Sequence, residues 1–182
     1  MSKVVLITGM QAAGKSTVAP LLAARMGPPA ATLDGDVFYR GVVAGAEVMT
    51  PEPSAEAVRQ LELRYDASAL VAQHYADNGF DFVCSDIVLG EHVERWFSRL
   101  RDVETYLVVL VPSVESIVAR ELGRGGGNSY RDWQEPGGSL EEAVRALQAG
   151  LDEIPRRGLW LDTTGQTPEE TVEAIDLEKA RW

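Results

Sequence analysis

The chain has 182 residues, 45% hydrophobic and 25% charged, which is the composition of one folded domain and not of a disordered segment. Its 17 basic residues against 28 acidic ones leave a net charge of −11, which weighs against a nucleic-acid backbone or an anionic membrane as the main partner. The longest near-continuous apolar run, Tyr106 to Pro112, is far shorter than the roughly 18 residues of a membrane span, and one cysteine makes no internal disulfide, so the cytoplasm is the expected compartment.

Met1–Ser2–Lys3–Val4 leads directly into a strand pattern, with no distinct regions of a secretion signal. Val4 to Ile7 is a β-branched run ended by Gly9. From Lys15 the spacing turns helical, with Val18, Leu21, Leu22 and Met26 on one face and Pro20 expected to kink or loosen the first turns. Gly27–Pro28–Pro29 ends it. Ala31 to Leu33 reads as a second strand, followed by Asp34–Gly35–Asp36. Val37 to Pro53 gives no clear pattern, and Ser54 is placed to cap a helix with Val58, Leu61, Tyr65, Ala69, Ala72 and Ala76 on one face, ending at Asn78–Gly79. Phe80 to Cys84 is a third strand, leading to Ser85–Asp86; Glu91 to Arg101 is a helix; Thr105 to Val111 is a fourth, wholly apolar strand. Val114 to Leu122 is helical, and Gly123 to Gly138 holds six glycines and reads as a flexible lid (123–139). Leu140 to Leu151 is a helix, Leu159 to Leu161 a fifth strand, and Pro168 opens the last helix.

This alternation predicts a single α/β domain over 1–182, a three-layer sandwich with a five-stranded, mostly parallel sheet and helices on both faces. Ligands of such sheets bind beyond the carboxyl ends of the strands, where Gly9, Asp36, Asp86, Pro112 and Asp162 fall.

Gly9–Met10–Gln11–Ala12–Ala13–Gly14–Lys15–Ser16 fits G-x-x-x-x-G-K-[ST], the Walker A phosphate loop, with Thr17 following. Gly9 and Gly14 permit backbone angles closed to other residues, so the loop's N–H groups can form a nest for phosphate at a helix N-terminus. Lys15 is suited to the β- and γ-phosphates and Ser16 to Mg²⁺. A plain glycine turn is the bland alternative.

Asp36 is the candidate general base, accepting a substrate hydroxyl proton; an N-cap is the alternative. Asp34 is a weaker candidate or a turn residue. Asp86, at the end of the third strand, is suited to Mg²⁺ or to substrate, against a cap or turn. Arg120 and Arg124, four apart, are placed to close over the phosphates; a solvated face paired with Glu115 or Glu121 is the alternative. Asp162–Thr163–Thr164–Gly165 lines the adenine, with Thr164 as contact, or is a simple turn. Phe38, Tyr39, Tyr65 and Trp96 wall an acceptor pocket, with Tyr39 as the substrate contact, or belong to the core. Cys84 reads as strand packing, and His74 and His92 receive no role.

With these residues the chain resembles the small-molecule kinases of the P-loop class, chloramphenicol phosphotransferase-like proteins most of all. Gly9 to Thr17 matches that family's phosphate loop, Asp36 its catalytic aspartate, Ser85 to Gly90 its segment after strand three, Arg120–Glu121 and Arg124–Gly125 its R-E-x-x-R-G lid entry, and Asp162–Thr163–Thr164 its D-T-T. Ser85 stands where the first of two acids is expected and Gly127 where a further arginine is expected; Val37 to Pro53 and Gly125 to Gly138 show no match. The resemblance implies transfer of the ATP γ-phosphoryl group, with Mg²⁺, to a hydroxyl of a small molecule, an antibiotic among the candidates, and is compatible with a homo-oligomer. Leu33–Asp34–Gly35–Asp36 also resembles the L-D-G-D of gluconate and adenylylsulfate kinases, whose anionic acceptors would need Arg40, Arg59 or Arg64. A nucleotide-binding regulatory module and a kinase of nucleotide sugars are the remaining readings.

Overall fold

Val4, Val5, Leu6 and Ile7 are all fully buried, as a strand covered on both faces must be, and they form the centre of the sheet. The structure is a computed structural model and describes residues 1–123 and 129–182. Its five strands are β1 (Lys3–Gly9), β2 (Ala30–Asp34), β3 (Asp81–Ser85), β4 (Glu104–Leu110) and β5 (Leu159–Leu161), in the order β2-β3-β1-β4-β5. Every pairing between them is parallel.

The period of two along each strand divides the core. Val5, Ile7, Val83 and Val108 face α1 (Lys15–Met26) and α7 (Pro168–Ala174), which add Val18, Leu22 and Val172. Val4, Leu6, Phe82 and Leu107 face the other helices, α3 (Ala55–Asp77), α4 (His92–Ser98), α5 (Val114–Gly123) and α6 (Leu140–Asp152), which add Tyr65, Trp96, Ile117 and Leu147. The sandwich is therefore the one that the alternation predicts.

Local chemistry sets the helix starts. Ser54 Oγ accepts from the Ala57 N–H at 3.0 Å and begins α3. Ser139 with Glu142 and Thr167 with Glu170 form capping boxes before α6 and α7.

Four expectations need adjustment. The buried face of α1 is Val18, Ala19, Leu22 and Ala23, while Leu21 is 36% exposed. Pro20 leaves α1 continuous, its ring lying on the exposed side. The fourth helix ends at Ser98, because Arg101 turns its N–H to Gln73 Oε1 at 2.8 Å. The unreadable stretch opens with a short helix, α2 (Asp36–Arg40). Of the expected lid, residues 124–128 lie outside the described residues, and Tyr130 beyond them is fully buried. Among the described residues no helix is long and apolar enough to cross a membrane.

Register brings the site together. Ser85 is paired with Ile7 on one side and Asp34 on the other, so β1, β2 and β3 deliver their following loops to one edge. At Gly9 the backbone has a φ of 143°, and a β-carbon there would lie 2.5 Å from the Leu110 carbonyl oxygen. Gly9→Ala must part β1 from β4 at the start of the phosphate loop. We expect a stability loss of about 2 kcal/mol and a melting temperature lower by about 4–8 °C, read by thermal denaturation.

Candidate active site

The loop from Gly9 to Ser16 crosses from β1 to α1. Gly14 has a φ of 98° and Ala12, unusually for a residue with a side chain, a φ of 60°. Met10 and Ala13 are buried at 1% and 2% exposure, anchoring the loop in the core, so they offer a ligand backbone only. Lys15 Nζ donates to the carbonyls of Gly9 at 2.9 Å and Met10 at 2.8 Å, spanning the loop's first turn. Gln11, Ala12, Gly14, Lys15, Ser16 and Thr17 line a cleft of about 1540 Å³.

Asp36 also lines this cleft and is exposed. It is the first residue of α2, whose N-cap is Gly35, so capping is not its role. Asp34 Oδ1 accepts from the Asp36 N–H at 3.1 Å, a turn contact, and Asp34 lines the cleft as well.

Asp86 is 3% exposed. Its Oδ1 accepts from the Ile87 N–H at 2.7 Å and faces Arg64 Nη2 at 3.1 Å. Burial pushes its carboxyl above the ordinary value, against the pull of the Arg64 guanidinium and the Ile87 N–H. Burial works against the Arg64 charge too, but Asp86, Tyr65 and Asp36 together hold it firmly protonated. The guanidinium lies 5.1 Å from the Tyr65 ring centre and 5.9 Å from that of Tyr39 on α2. A β-carbon on Gly35 would come within 2.0 Å of Asp86 Oδ2, so the turn before Asp36 approaches Asp86 as closely as it does because residue 35 has no side chain.

For a magnesium ion, the residues divide. Ser16 presents an exposed hydroxyl at the cleft, next to Lys15, and fits a nucleotide-borne Mg²⁺. Asp86 fits less well, because Oδ1 is engaged by Arg64 and Oδ2, though without a hydrogen-bond partner, is sealed from solvent. Among the described residues no group of three or more His, Cys, Asp or Glu could hold a metal.

Apolar side chains, among them Phe38, Tyr39, Met49, Leu61 and Trp133, line the cleft together with polar ones that include Glu47, Gln60, His92, Arg131 and Glu153. Tyr65 shares the lining, but its hydroxyl donates to the Ile87 carbonyl. Trp96 belongs to the core, its Nε1–H donating to Ser68 Oγ at 2.8 Å. Arg120 reaches the cleft from α5, and its guanidinium donates to the carbonyls of Ala13 at 3.3 Å and Thr163 at 3.0 Å, joining the loop to the turn after β5. Glu121 instead accepts from the Ser129 N–H at 2.6 Å and Glu115 approaches Arg145, so neither pairs with Arg120. Arg124 lies outside the described residues.

Thr164 is not among the cleft-lining residues. Its hydroxyl accepts from the Ser113 N–H at 2.8 Å and its own N–H donates to Asp162 Oδ1 at 2.9 Å, which is a turn built on Asp162. Cys84 is buried in β3, and burial pushes its thiol up. The sequence reading missed Arg64 as the partner of Asp86. The signal was available: Arg64 adjoins Tyr65 on the inward side of an otherwise apolar helix face. Trp133 and Leu147, contributed across the cleft, carried no such signal.

A parallel sheet in the order β2-β3-β1-β4-β5, with a phosphate loop leaving its central strand, places the protein in the P-loop kinase fold class. Within it, the chain belongs to the chloramphenicol phosphotransferase-like protein family, whose profile matches residues 2–179. Among solved structures it is similar to the APS kinase CysC of Mycobacterium tuberculosis in complex with AMPPNP and APS, with a TM-score of 0.68 at 23% identity, covering 98% of each chain. A sugar kinase from Janibacter sp. HTCC2649 gives a TM-score of 0.64 at 18% identity, covering 95% of this chain and 91% of that one. The tunicamycin resistance protein of Deinococcus radiodurans gives 0.59 at 19%, covering 95% and 92%. These are likenesses of fold. A search of curated proteins finds no match to the chain.

The Arg64–Asp86 pair makes a measurable prediction. Arg64→Met leaves a buried carboxylate without its cation and should cost about 3 kcal/mol in urea denaturation at neutral pH. The double variant Arg64→Met, Asp86→Asn should recover most of that loss.

Proposed function

We propose that the protein is a phosphotransferase that moves the γ-phosphoryl group of ATP to a hydroxyl of a small, uncharged molecule. The observation that carries this reading is that the phosphate loop and Asp36 open on one cleft of about 1540 Å³. A single ligand pocket is usually about 300–1,000 Å³, so there is room for a second substrate beside the nucleotide. That favours an enzyme over a regulatory nucleotide module.

Lys15 and the loop N–H groups would hold the β- and γ-phosphates, with Ser16 holding Mg²⁺. The ion supplies neutralisation of charge that builds on the phosphate oxygens. Asp36 would accept the acceptor's hydroxyl proton as its oxygen bonds to the γ-phosphorus and the bond to ADP breaks. Arg124 is proposed to stabilise the transferring group and Arg120 to brace the loop. Asp86 is proposed to order the acceptor side of the site through Arg64, and Tyr39 to form part of the acceptor wall.

The charge pattern distinguishes acceptor classes. Of Arg40, Arg59 and Arg64, proposed as partners for an anionic acceptor, Arg64 alone lines the cleft, and its charge is matched by Asp86. Arg59 is paired with Glu56 on the surface. Arg131 also lines the cleft and lies 3.5 Å from Asp132. With Arg64 and Arg131 each beside a carboxylate, and with Phe38, Tyr39 and Leu61 in the lining, the cleft favours an uncharged alcohol over a sugar acid or a sulfated nucleotide. Membership of the chloramphenicol phosphotransferase-like family supports antibiotic alcohols, chloramphenicol included, as the first acceptors to test.

Asp36→Asn should keep ATP affinity within about twofold and lower turnover by roughly a hundredfold or more, measured as ADP release with a phosphorylatable acceptor. Unchanged turnover would remove Asp36 as the base. Lys15→Ala should abolish turnover and weaken ADP binding in the same assays.

A further inference from the structure

Side chains hold every carbonyl of the phosphate loop from Gly9 to Ala13. Lys15 Nζ takes Gly9 and Met10 at 2.9 and 2.8 Å. Arg120 Nη1 takes Ala12 and Ala13 at 3.5 and 3.3 Å. The middle carbonyl, that of Gln11, accepts from the Tyr130 hydroxyl at 2.7 Å. Tyr130 is fully buried and does not line the cleft, whereas Gln11 and Ala12 do.

In a planar trans peptide the C=O and the following N–H point in opposite directions. With its carbonyl drawn to Tyr130 on the protein side, the Gln11–Ala12 peptide turns the Ala12 N–H toward the cleft. That orientation is strained: Ala12 has a φ of 60°, in the left-handed region that a side chain disfavours. Rotating this one peptide by half a turn would relieve Ala12 and point its N–H away from a bound phosphate. The Tyr130 hydrogen bond is the contact that opposes the rotation.

We propose that Tyr130 is a positioning residue of the phosphate loop, holding the Gln11 carbonyl inward so that the Ala12 N–H stays directed at the β-phosphate of a nucleotide. This rests on the nucleotide reading given above. It differs from a packing role, because removing one oxygen from Tyr130 affects ligands that reach the loop and spares those that do not.

The test is calorimetric titration of the whole chain with ADP and with AMP, alongside thermal melting. Tyr130→Phe keeps the buried ring. We expect its ADP affinity to fall about five- to tenfold, the scale of one hydrogen bond, with AMP affinity and melting temperature nearly unchanged. In an Ala12→Gly background, where the left-handed conformation carries no penalty, the Tyr130→Phe loss should shrink below about threefold. An unchanged ratio of ADP to AMP affinity in Tyr130→Phe would overturn the proposal. So would an equal loss for both nucleotides accompanied by a lower melting temperature, which would mark a purely structural residue. An undiminished loss in the Ala12→Gly background would also overturn it. Failure of the unmodified protein to bind ADP would overturn the nucleotide reading itself, and the proposal with it.

Discussion

Asp86 is a carboxylate sealed in the protein interior, and its burial is tolerable because Arg64 faces it at 3.1 Å and the Ile87 N–H donates to it at 2.7 Å. Much of the site follows from this arrangement. Arg64 comes from α3, so the pair fastens that long helix to the end of β3. Its guanidinium lies against Tyr39, one turn beyond Asp36 on α2. Gly35 closes the remaining side against Asp86 Oδ2. The exposed Asp36 thus stands on a short helix whose base is fixed by buried charge, aromatic contact and backbone approach together.

The phosphate loop is organised in a complementary way. A loop that turns N–H groups toward an anion must present its carbonyls elsewhere, and buried carbonyls need donors. Here the donors come from Lys15 at the start of α1 and Arg120 on α5, both of which also line the cleft, and from Tyr130, which is buried behind the loop. Arg120 also bonds the Thr163 carbonyl, so the turn after β5 is joined to the same assembly. The loop is shaped by contacts on its protein side as much as by its own glycines.

The fold was legible in the sequence because the apolar runs of β1, β3 and β4 and the cap at Ser54 are local signals with local causes; the capping boxes at Ser139 and Thr167 carry the same kind of local signal and went unread. The Gly9–Ser16 loop was legible for the same reason. Asp36 and Asp86 could be placed at strand ends, but the sequence did not separate an exposed acid at the cleft from one matched by an arginine 22 residues earlier. Thr164 and Trp96 each carried two readings, ligand contact or plain structure, that residue type alone did not separate; backbone and core partners engage them in the structure. Tyr130, within a glycine-rich stretch, gave no sign that it packs behind the loop.

The family and the fold are those of P-loop small-molecule kinases, and the proposed transfer to an uncharged alcohol is a reading of the acceptor end of the cleft. That proposal rests on the apolar side chains in the lining and on the carboxylates beside Arg64 and Arg131. The most direct measurement incubates the protein with Mg²⁺–ATP and a pool of hydroxylated compounds, comprising chloramphenicol, other antibiotics, sugars and sugar acids, and follows the pool by mass spectrometry. The account predicts that an uncharged alcohol gains one phosphoryl group and that a Lys15→Ala preparation forms none of that product. Phosphorylation of the sugar acids alone, or ATP bound tightly with no phosphorylated compound formed, would contradict it.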